Sequence, residues 1–256
     1  MANSIPTLAV ALLVKNEAKH LQACLETVVG WVDEIVILDS GSSDETEAIA
    51  RRFTNKFYVN SDWPGFGPQR RLAQSYIESD YVLWLDADER VTPELKADIL
   101  RAIQDDPANT LYAINRLSSA FGKFIHHSGW SPDWIVRLYR TKDTHYDDAL
   151  VHEKVVVGPY KVKKLSGRLQ HFTYDNLHHY INKTTGYLKA WTDEREGKKK
   201  SSLSIAITHA LASFIKMYII KLGFLDGKHG FILAWLCMNS TFIKYVDLYL
   251  REQDHK

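Results

Sequence analysis

The sequence is poor in cysteine: its 256 residues include only Cys24 and Cys237, each flanked by apolar residues. Two such cysteines do not build a disulfide framework, and they exclude zinc sites made of several thiolates. Free thiols are typical of a reducing compartment. We therefore expect the chain to fold in the cytosol.

A secretory signal peptide is also lacking. The first residues are apolar, but they have no basic start and no small-residue cleavage site, and the apolar stretch ends at Lys15. We interpret residues 8–14 as a buried strand instead. The sequence has no internal repeat and no low-complexity tract, so we expect one catalytic domain with an appendage.

Neither sign of charge dominates the whole chain, whose net charge is +1. The charges are unevenly distributed, however. Up to Val155 there are 16 basic and 23 acidic side chains, and after it 16 basic and 8 acidic ones. An acidic first part favours binding of a metal ion, and a basic second part favours phosphates or an anionic lipid surface. The alternative is a solvated basic tail.

Apolar runs alternate with helical patterns in the first 105 residues. The predicted strands are residues 8–14, 34–38, 57–60 and 81–85, and the predicted helices follow them, the last two at residues 69–77 and 93–103. Continuous apolar strands alternating with helices indicate an α/β fold with a mainly parallel, Rossmann-like central sheet and helices on both faces. Ligands bind such sheets at the carboxyl ends of the strands.

Beyond residue 105 the alternation weakens. Strand-like runs occupy residues 111–115, 134–139, 155–157 and 169–172, with an aromatic, histidine-rich loop at residues 121–132, and the pattern is helical from Asn176 onward. We predict a catalytic domain over residues 1–172 and a helical, basic and aromatic region over residues 173–256.

The segment 203–222 is about as long as a membrane span but contains His209, Lys216 and Lys221. A charge near the centre of a spanning helix costs several kcal/mol. We therefore expect a helix that lies on protein or on lipid. Contact with a bilayer surface through the aromatic and basic groups that follow, and packing of these helices on each other, both remain open.

Two carboxylates, Asp86 and Asp88, follow directly after the fourth apolar strand. In an extended segment both point to the same side of the chain. Carboxylate oxygens are the ligands that Mg²⁺ and Mn²⁺ prefer, and phosphate oxygens commonly complete their coordination. The pair therefore predicts a divalent cation site; the alternative is an acidic turn that precedes a helix.

The loop from Asp39 to Asp44 is a second candidate site element. Its small residues allow the backbone to approach a ligand, its carboxylates accept hydrogen bonds from a base or ribose, and a helix begins directly after it. Asn16 and Glu17 follow the first strand and line the same predicted crevice. We expect this crevice to hold a nucleoside.

Five motifs occur in one order along the chain and together resemble the family 2 glycosyltransferases with a GT-A fold. Within that family the likeness is to the lipopolysaccharide inner-core β-1,4-glucosyltransferases of Gram-negative bacteria. The motifs are Lys15-Asn16-Glu17, Asp39-Ser40-Gly41-Ser42-Ser43-Asp44-Glu45-Thr46, Trp63-Pro64-Gly65-Phe66-Gly67-Pro68-Gln69-Arg70, Leu85-Asp86-Ala87-Asp88-Glu89 and Val151-His152-Glu153.

The resemblance implies an inverting transfer of glucose from UDP-glucose to a heptose of the lipid A core. It implies that Asp39 lies near the uracil or ribose and that Asp88 is a metal ligand beside the diphosphate. Asp86 would contact the ribose or reach the metal through water. The implied cofactor is Mg²⁺ or Mn²⁺.

Further donor-side residues are proposed on the same resemblance. Gln69 and Arg70 follow a glycine-rich turn and are placed to face the donor phosphates or sugar, although they are also typical of a plain helix surface. Arg137 lies on a later strand and is added to the nucleotide-sugar-binding set. His171 is either a third metal ligand or a hydrogen-bonded structural histidine.

Inversion requires a general base that takes the proton of the acceptor hydroxyl and stands apart from the metal. Glu153 is the first candidate, because it follows the strand on which enzymes of this kind build the acceptor side. Asp133 is the second candidate. Sequence distance does not decide between them, and neither being the base is a third alternative.

We expect a UDP-sugar donor, a lipid A-core glycolipid acceptor and peripheral contact with the cytoplasmic face of the inner membrane, without a nucleic-acid partner. Other acceptors remain alternatives: another glycan, a polyprenyl phosphate or a peptide. Nucleotidyl transfer also uses paired carboxylates, but the glycine-rich, lysine-containing phosphate loop that often serves it is missing here. A non-catalytic binding protein is a third class, against which Asp86, Asp88 and Glu153 argue.

Overall fold

The computed structural model describes residues 5–105, 107–150 and 152–254. Val151, part of a motif quoted above, lies outside them. The described residues form two units, one of residues 5–116 and 133–171 and the other of residues 117–132 and 172–254. The sequence-based boundary after residue 172 kept residues 117–132 in the first domain. In the structure this segment packs with the C-terminal helices.

The first unit is built from strands that alternate with helices along the chain. They are β1 Leu8–Val14, α1 Ala18–Leu25, β2 Glu34–Asp39, α2 Thr46–Ala50, β3 Phe57–Val59, α3 Phe66–Gln74, β4 Tyr81–Leu85, β5 Glu89–Val91, α4 Pro93–Asp105, β6 Thr110–Ala120, β8 Asp133–Arg140 and β9 Lys161–Tyr174; the short β7 Lys123–Phe124 pairs with the end of β6. The last residues of β6 and β9 belong to the second unit.

The strands of the described chain form one sheet in the order β3-β2-β1-β4-β8-β6-β9-β5. The neighbours β3, β2, β1 and β4 are parallel, whereas β8 runs antiparallel to both β4 and β6. The predicted α/β fold is therefore confirmed, with an antiparallel half added to the parallel one. Val14 pairs with Asp39 and Leu12 with Leu85, so the carboxyl ends of β1, β2 and β4 meet at one edge.

The core lies on both faces of this sheet. Side chains of β1 alternate: Leu8, Val10 and Leu12 pack with α1, α2 and α4, and Ala11 packs on the opposite face with Ala73 of α3. All of these β1 side chains are fully buried or nearly so. The unbroken apolar run in β1 follows from burial on both faces, as expected for the inner strands of a parallel sheet.

Two sequence-based boundaries differ from the structure. Residues 155–157 do not form a strand; Val155 makes a single bridge to Tyr146. Helix α3 begins at Phe66 instead of Gln69, because the amides of Phe66 and Gly67 donate to the carbonyls of Leu150 and Ala149. A distant loop thus supplies the acceptors that satisfy the first turn of α3.

The second unit is mainly helical. Its helices are α5 Leu177–Arg195, α6 Leu203–Ile215 and α7 Lys228–Asp254, with a π-helical turn at Lys216–Ile220 and a 3-10 turn at Gly223–Asp226. Asn176 and Ser202 cap α5 and α6 through side-chain oxygens that accept from backbone amides. Both α5 and α6 pack against α7.

Two segments of this unit, Leu203–Ile220 and Lys228–Gln253, are long and apolar enough to cross a membrane by length and composition. A core helix of a soluble protein meets the same criteria but is mostly buried. Here only 17% and 22% of the two apolar windows are buried. Apolar side chains of the second unit are therefore widely exposed.

Gly67 is needed for the docking of α3. A Cβ at this position would lie 2.0 Å from the carbonyl oxygen of Asp147. We expect Gly67→Ala to lower the free energy of unfolding by about 1–3 kcal/mol, because the backbone must shift to relieve the overlap. Urea denaturation measures this. The matched control is Gly186→Ala in α5, where a Cβ meets open space; equal stability of the two variants would contradict the prediction.

Candidate active site

The loops after β1 and β2 are joined by side-chain hydrogen bonds. The Ser42 hydroxyl donates to Asp39 Oδ1 at 2.5 Å and accepts from the Asn16 amide at 2.8 Å. Asn16 Oδ1 accepts in turn from the Ser43 amide at 2.8 Å. The structure thus brings Asn16 and Asp39 together, as the crevice hypothesis requires. Their binding to a nucleoside stays a prediction.

Glu17 and Gln69 lie beside these loops. The Glu17 amide donates to the Thr46 hydroxyl at 2.7 Å, which ties the start of α1 to the start of α2. Gln69 is fully buried; its amide nitrogen donates to the Ser40 hydroxyl and its oxygen accepts from Asn60. The structure therefore uses Gln69 to hold the Asp39 loop in place, and its direct contact with a donor stays a prediction.

Asp86, at the end of β4, is held by two arginines. Arg70 Nη2 donates to its Oδ1 at 2.9 Å and Arg137 Nη2 to its Oδ2 at 2.5 Å. Arg70 comes from α3 and Arg137 from β8, which is paired with β4. Three predicted site residues from separate elements thus form one ion-pair cluster.

Burial and charge act oppositely on the two acids of this cluster. Burial alone would raise the pKa of Asp86, but Arg137 and Arg70 lower it below its ordinary value. Glu89 has no exposed side-chain surface, and its Oε1 lies 3.6 Å from Arg137 Nη2 without a hydrogen bond. Burial therefore raises the pKa of Glu89 despite the nearby arginines.

Arg70 also contacts Glu153. Its Nε donates to Glu153 Oε1 at 2.8 Å, so one guanidinium connects Glu153 with Asp86. The guanidinium lies over the rings of Tyr146 and Trp84, 4.8 Å and 5.1 Å from their centroids. Ring contact and two carboxylates together fix the position of Arg70.

A cavity of about 550 Å³ lies at this cluster. Asp86, Arg70, Arg137, Arg116 and Glu153 line it, together with Trp134, Ile135, Val136, Tyr146, His152, Lys154, Val155 and Val157. Within the described residues, Nη1 of Arg70 and Nη1 of Arg137 are buried and have no hydrogen-bond partner. Two arginine N–H groups are thus available to an anionic ligand.

Asp133, the second candidate for the general base, is engaged elsewhere. Its Oδ2 accepts from Arg116 Nε at 2.9 Å and lies 2.8 Å from Arg116 Nη2. It is not among the side chains that line the cavity, whereas Glu153 is. The geometry favours Glu153, although the role of either residue as base remains a prediction.

Asp88 and His171 lie side by side, with 3.3 Å between Asp88 Oδ2 and His171 Nε2. The pairing of β5 with β9 brings His171 opposite Glu89 and hence next to Asp88. Both side chains are partly accessible, at 23% and 12%. A carboxylate oxygen beside an imidazole nitrogen is a donor set that fits Mg²⁺ or Mn²⁺.

The three predicted metal ligands do not form one group in the described part of the chain. A set of three or more acidic, histidine or cysteine side chains suited to a metal is not found there. Asp86 faces Arg70 and Arg137, whereas Asp88 faces His171. Metal binding by Asp88 and His171 stays a prediction, and a bound ligand would have to supply further oxygens.

Sequence reasoning missed Arg116 as a site residue and named Glu89 only as a neighbour of Asp88. Arg116 lies 3.7 Å from Glu89 Oε1 and pairs with Asp133, so it connects two carboxylates as Arg70 does. The available signal was an arginine within the otherwise apolar and small-residue strand β6. Tyr146 lacked any such signal, because its contact with Arg70 joins distant parts of the chain.

The match to a known family explains this arrangement. Residues 9–195 match the family described as Glycosyl transferase family 2. This range covers most of the chain, and the chain therefore belongs to glycosyl transferase family 2. It is a glycosyltransferase with an α/β fold of the GT-A type.

Individual relatives are more distant. An uncharacterized glycosyltransferase of Rickettsia bellii (strain RML369-C) is 26% identical over 93% of this chain and 84% of its own. The lipopolysaccharide core biosynthesis glycosyltransferase LpsC of Rhizobium meliloti (strain 1021) is 25% identical over 95% and 92%. Among solved structures, S. aureus TarS residues 1–349 align with 98% of this chain and 92% of that one at 14% identity and a TM-score of 0.46.

Asp86 and Glu89 should differ sharply in their effect on stability. We expect Asp86→Asn to lower the free energy of unfolding at pH 7 by about 2 kcal/mol, below the range for a fully buried pair because the side chain is 33% exposed. Glu89→Gln removes the same charge from the same cluster and should cost less, because burial already disfavours ionised Glu89. Urea denaturation of both variants measures this.

The difference between the parent and Asp86→Asn should also depend on pH. Because the pKa of Asp86 is lowered from its ordinary 3.8, its ion pairs stabilise fully above that pH and are lost as the pH falls below it. The difference should thus be equal at pH 7 and pH 5 and narrow below pH 3.8. A larger loss for Glu89→Gln would show that the opposed effects are misassigned.

Proposed function

We propose that this glycosyltransferase transfers glucose from UDP-glucose, with inversion, onto a heptose of the lipopolysaccharide inner core. The observation that carries the proposal is the Arg70 bridge, which holds Glu153 and Asp86 in one cavity. Family membership supports transfer of a glycosyl group. The named function of the LpsC relative supports a lipopolysaccharide core acceptor.

In this mechanism Glu153 is the general base. Arg70 binds its Oε1, which orients the carboxylate in the cavity. Its second oxygen takes the proton of the acceptor hydroxyl as that oxygen attacks the anomeric carbon of the donor. Proton removal by a positioned carboxylate accelerates such steps by about 10²- to 10⁴-fold. A single base and direct attack on the donor give inversion at the anomeric carbon.

The leaving diphosphate requires positive charge. When bound, a Mg²⁺ or Mn²⁺ ion held by Asp88 and His171 would supply it as a Lewis acid. The free Nη1 groups of Arg70 and Arg137 are hydrogen-bond donors of the kind that bind phosphate oxygens. Asp86 keeps these two arginines in place, which gives it a positioning role beside its proposed contact with the ribose.

The acceptor side of the cavity combines an aromatic ring with positive charge. Trp134 and Lys154 line it, and Lys164 Nζ lies 4.6 Å from the centroid of the Trp134 ring. A flat ring packs against a sugar face, and lysines attract phosphate groups of a lipid A core. The exposed apolar surface of the second unit supports peripheral contact with the cytoplasmic face of the inner membrane.

The proposal is tested by UDP release from a panel of UDP-sugars, with and without Mn²⁺ or Mg²⁺. The acceptor is deep-truncated lipopolysaccharide with a terminal heptose. We expect release that needs UDP-glucose, the metal ion and this acceptor together. Release with another glycan, a polyprenyl phosphate or a peptide instead would replace the acceptor, and release of pyrophosphate would indicate nucleotidyl transfer.

The two candidate bases are distinguished by a pair of charge-neutral variants. We expect Glu153→Gln to lower kcat about 10²- to 10⁴-fold and to keep UDP affinity, because the amide cannot take a proton. Asp133→Asn should change kcat less, because Asp133 does not line the cavity. The reverse result would make Asp133 the base.

Asp88 is tested through metal-dependent binding. We expect Asp88→Ala to abolish the increase in UDP affinity that Mn²⁺ produces, and His171→Ala to weaken it, as measured by calorimetry. Asp105→Ala is the matched control, since Asp105 is an exposed carboxylate at the last position of α4. Parent-like Mn²⁺ dependence in Asp88→Ala would remove Asp88 from the metal site.

A further inference from the structure

The second unit contains a cavity of its own. Its volume is about 600 Å³, and it lies among residues of the segment 128–130, α5, α6, the π-helical turn and α7. Four aromatic rings line it, from Trp130, Tyr174, Tyr180 and Tyr187. Leu188, Met217, Leu233 and Cys237 add further apolar surface. Such a lining favours an apolar ligand.

Positive charge accompanies the apolar lining. Lys216, Lys221 and Lys244 line the same cavity, and no carboxylate stands among its lining residues within the described chain. Lys244 Nζ lies 4.8 Å from the ring centroid of Trp191, whereas Lys216 and Lys221 are exposed. Hydroxyl groups of Thr184, Ser213, Ser240 and Thr241 are the other polar groups of the lining. The cavity therefore suits a ligand with an apolar part and an anionic part.

The shape of the cavity is fixed by buried hydrogen bonds. Asp226 is 2% exposed, and its carboxylate accepts from the His126 and His127 amides and from the Ser128 hydroxyl. The Ser128 amide donates to the carbonyl of Lys221 at 2.8 Å. These bonds fix the segment before Trp130 next to the turn that carries Lys221. The cavity is thus a built feature of the second unit.

Exposed apolar side chains surround the lysines along the chain. Ile215, Ile219, Ile220 and Leu222 are each at least 45% exposed and lie within the turns that carry Lys216 and Lys221. Other exposed apolar residues of this unit are Leu203, Ile207, Leu211, Phe224, Leu225, Phe231, Ile232, Trp235, Ile243 and Leu250. Such a density of apolar and basic side chains is typical of a surface that contacts an anionic bilayer.

We propose that this cavity binds a phosphate-bearing lipid drawn from the membrane. An acyl chain packs against Trp130, Tyr174 and their neighbours, and the phosphate contacts Lys216 and Lys221. The absence of lining carboxylates among the described residues and the adjoining apolar surface both fit this occupant. The site does not depend on the transfer reaction, because none of its residues belongs to the candidate active site.

Cys237 provides a direct probe of occupancy, because it lines the cavity. The other cysteine, Cys24, is fully buried in the first unit, and burial raises the pKa of its thiol. A maleimide should therefore modify Cys237 selectively in the folded full-length protein. The rate of modification is measured with dihexanoyl phosphatidic acid, with dihexanoyl phosphatidylcholine and with inorganic phosphate, each lipid below its critical micelle concentration.

We expect phosphatidic acid to slow the modification of Cys237 strongly, and phosphatidylcholine and inorganic phosphate to have little effect. Lys216→Gln/Lys221→Gln should raise the half-protecting concentration of phosphatidic acid about 30-fold. Lys216→Arg/Lys221→Arg should restore protection. The control Lys198→Gln/Lys200→Gln removes the same charge from exposed lysines outside the cavity and should resemble the parent.

Several outcomes would overturn the proposal. Absence of protection by any lipid would show that the cavity does not take one. Equal protection by phosphatidylcholine would remove the role of the lysines, and equal protection by inorganic phosphate would replace the lipid with a free anion. Equal loss in the two glutamine variants would reduce the effect to net charge. UDP release tests the transfer reaction separately, so the two proposals fail independently.

Discussion

Arg70 lies between two carboxylates that come from distant parts of the chain. It binds Asp86, 16 residues away, and Glu153, 83 residues away, and its guanidinium lies over the rings of Trp84 and Tyr146. The first turn of α3 sets its position, because Gly67 allows the loop at residues 147–150 to approach closely. Sheet, helix and loop are therefore joined at one side chain, and the geometry of the site depends on it.

Charge balance in this cluster is uneven, and that unevenness has chemical consequences. Arg70 and Arg137 stabilise ionised Asp86, whereas burial disfavours ionised Glu89 at nearly the same place. Neither arginine is fully satisfied within the described protein, since one nitrogen of each lacks a hydrogen bond. A buried guanidinium with a free N–H group gains by binding an anionic oxygen. This gain gives a physical reason for a phosphate-bearing donor at this position.

Much of the fold was predictable from apolar runs, and little of the tertiary pairing was. The bounds of β1 and β4 match the predicted strands, because burial on both faces leaves an unbroken apolar sequence. The proximity of Asn16 and Asp39 followed from the parallel register of their strands. The contact of Arg70 with Glu153, the pairing of Arg116 with Asp133 and the packing of residues 117–132 with the second unit depend on long-range topology, for which the sequence has no periodic signal.

The proposed separation of roles, with Asp88 and His171 on the metal side and Glu153 on the acceptor side, is the central claim about the site. A crystal structure of the protein with UDP and Mn²⁺ tests it most directly. The account predicts that Mn²⁺ binds Asp88 and His171, that diphosphate oxygens contact Arg70 or Arg137, and that Glu153 remains free of the metal beside the open cavity. Coordination of Mn²⁺ by Glu153, or UDP bound away from this cluster, would contradict it.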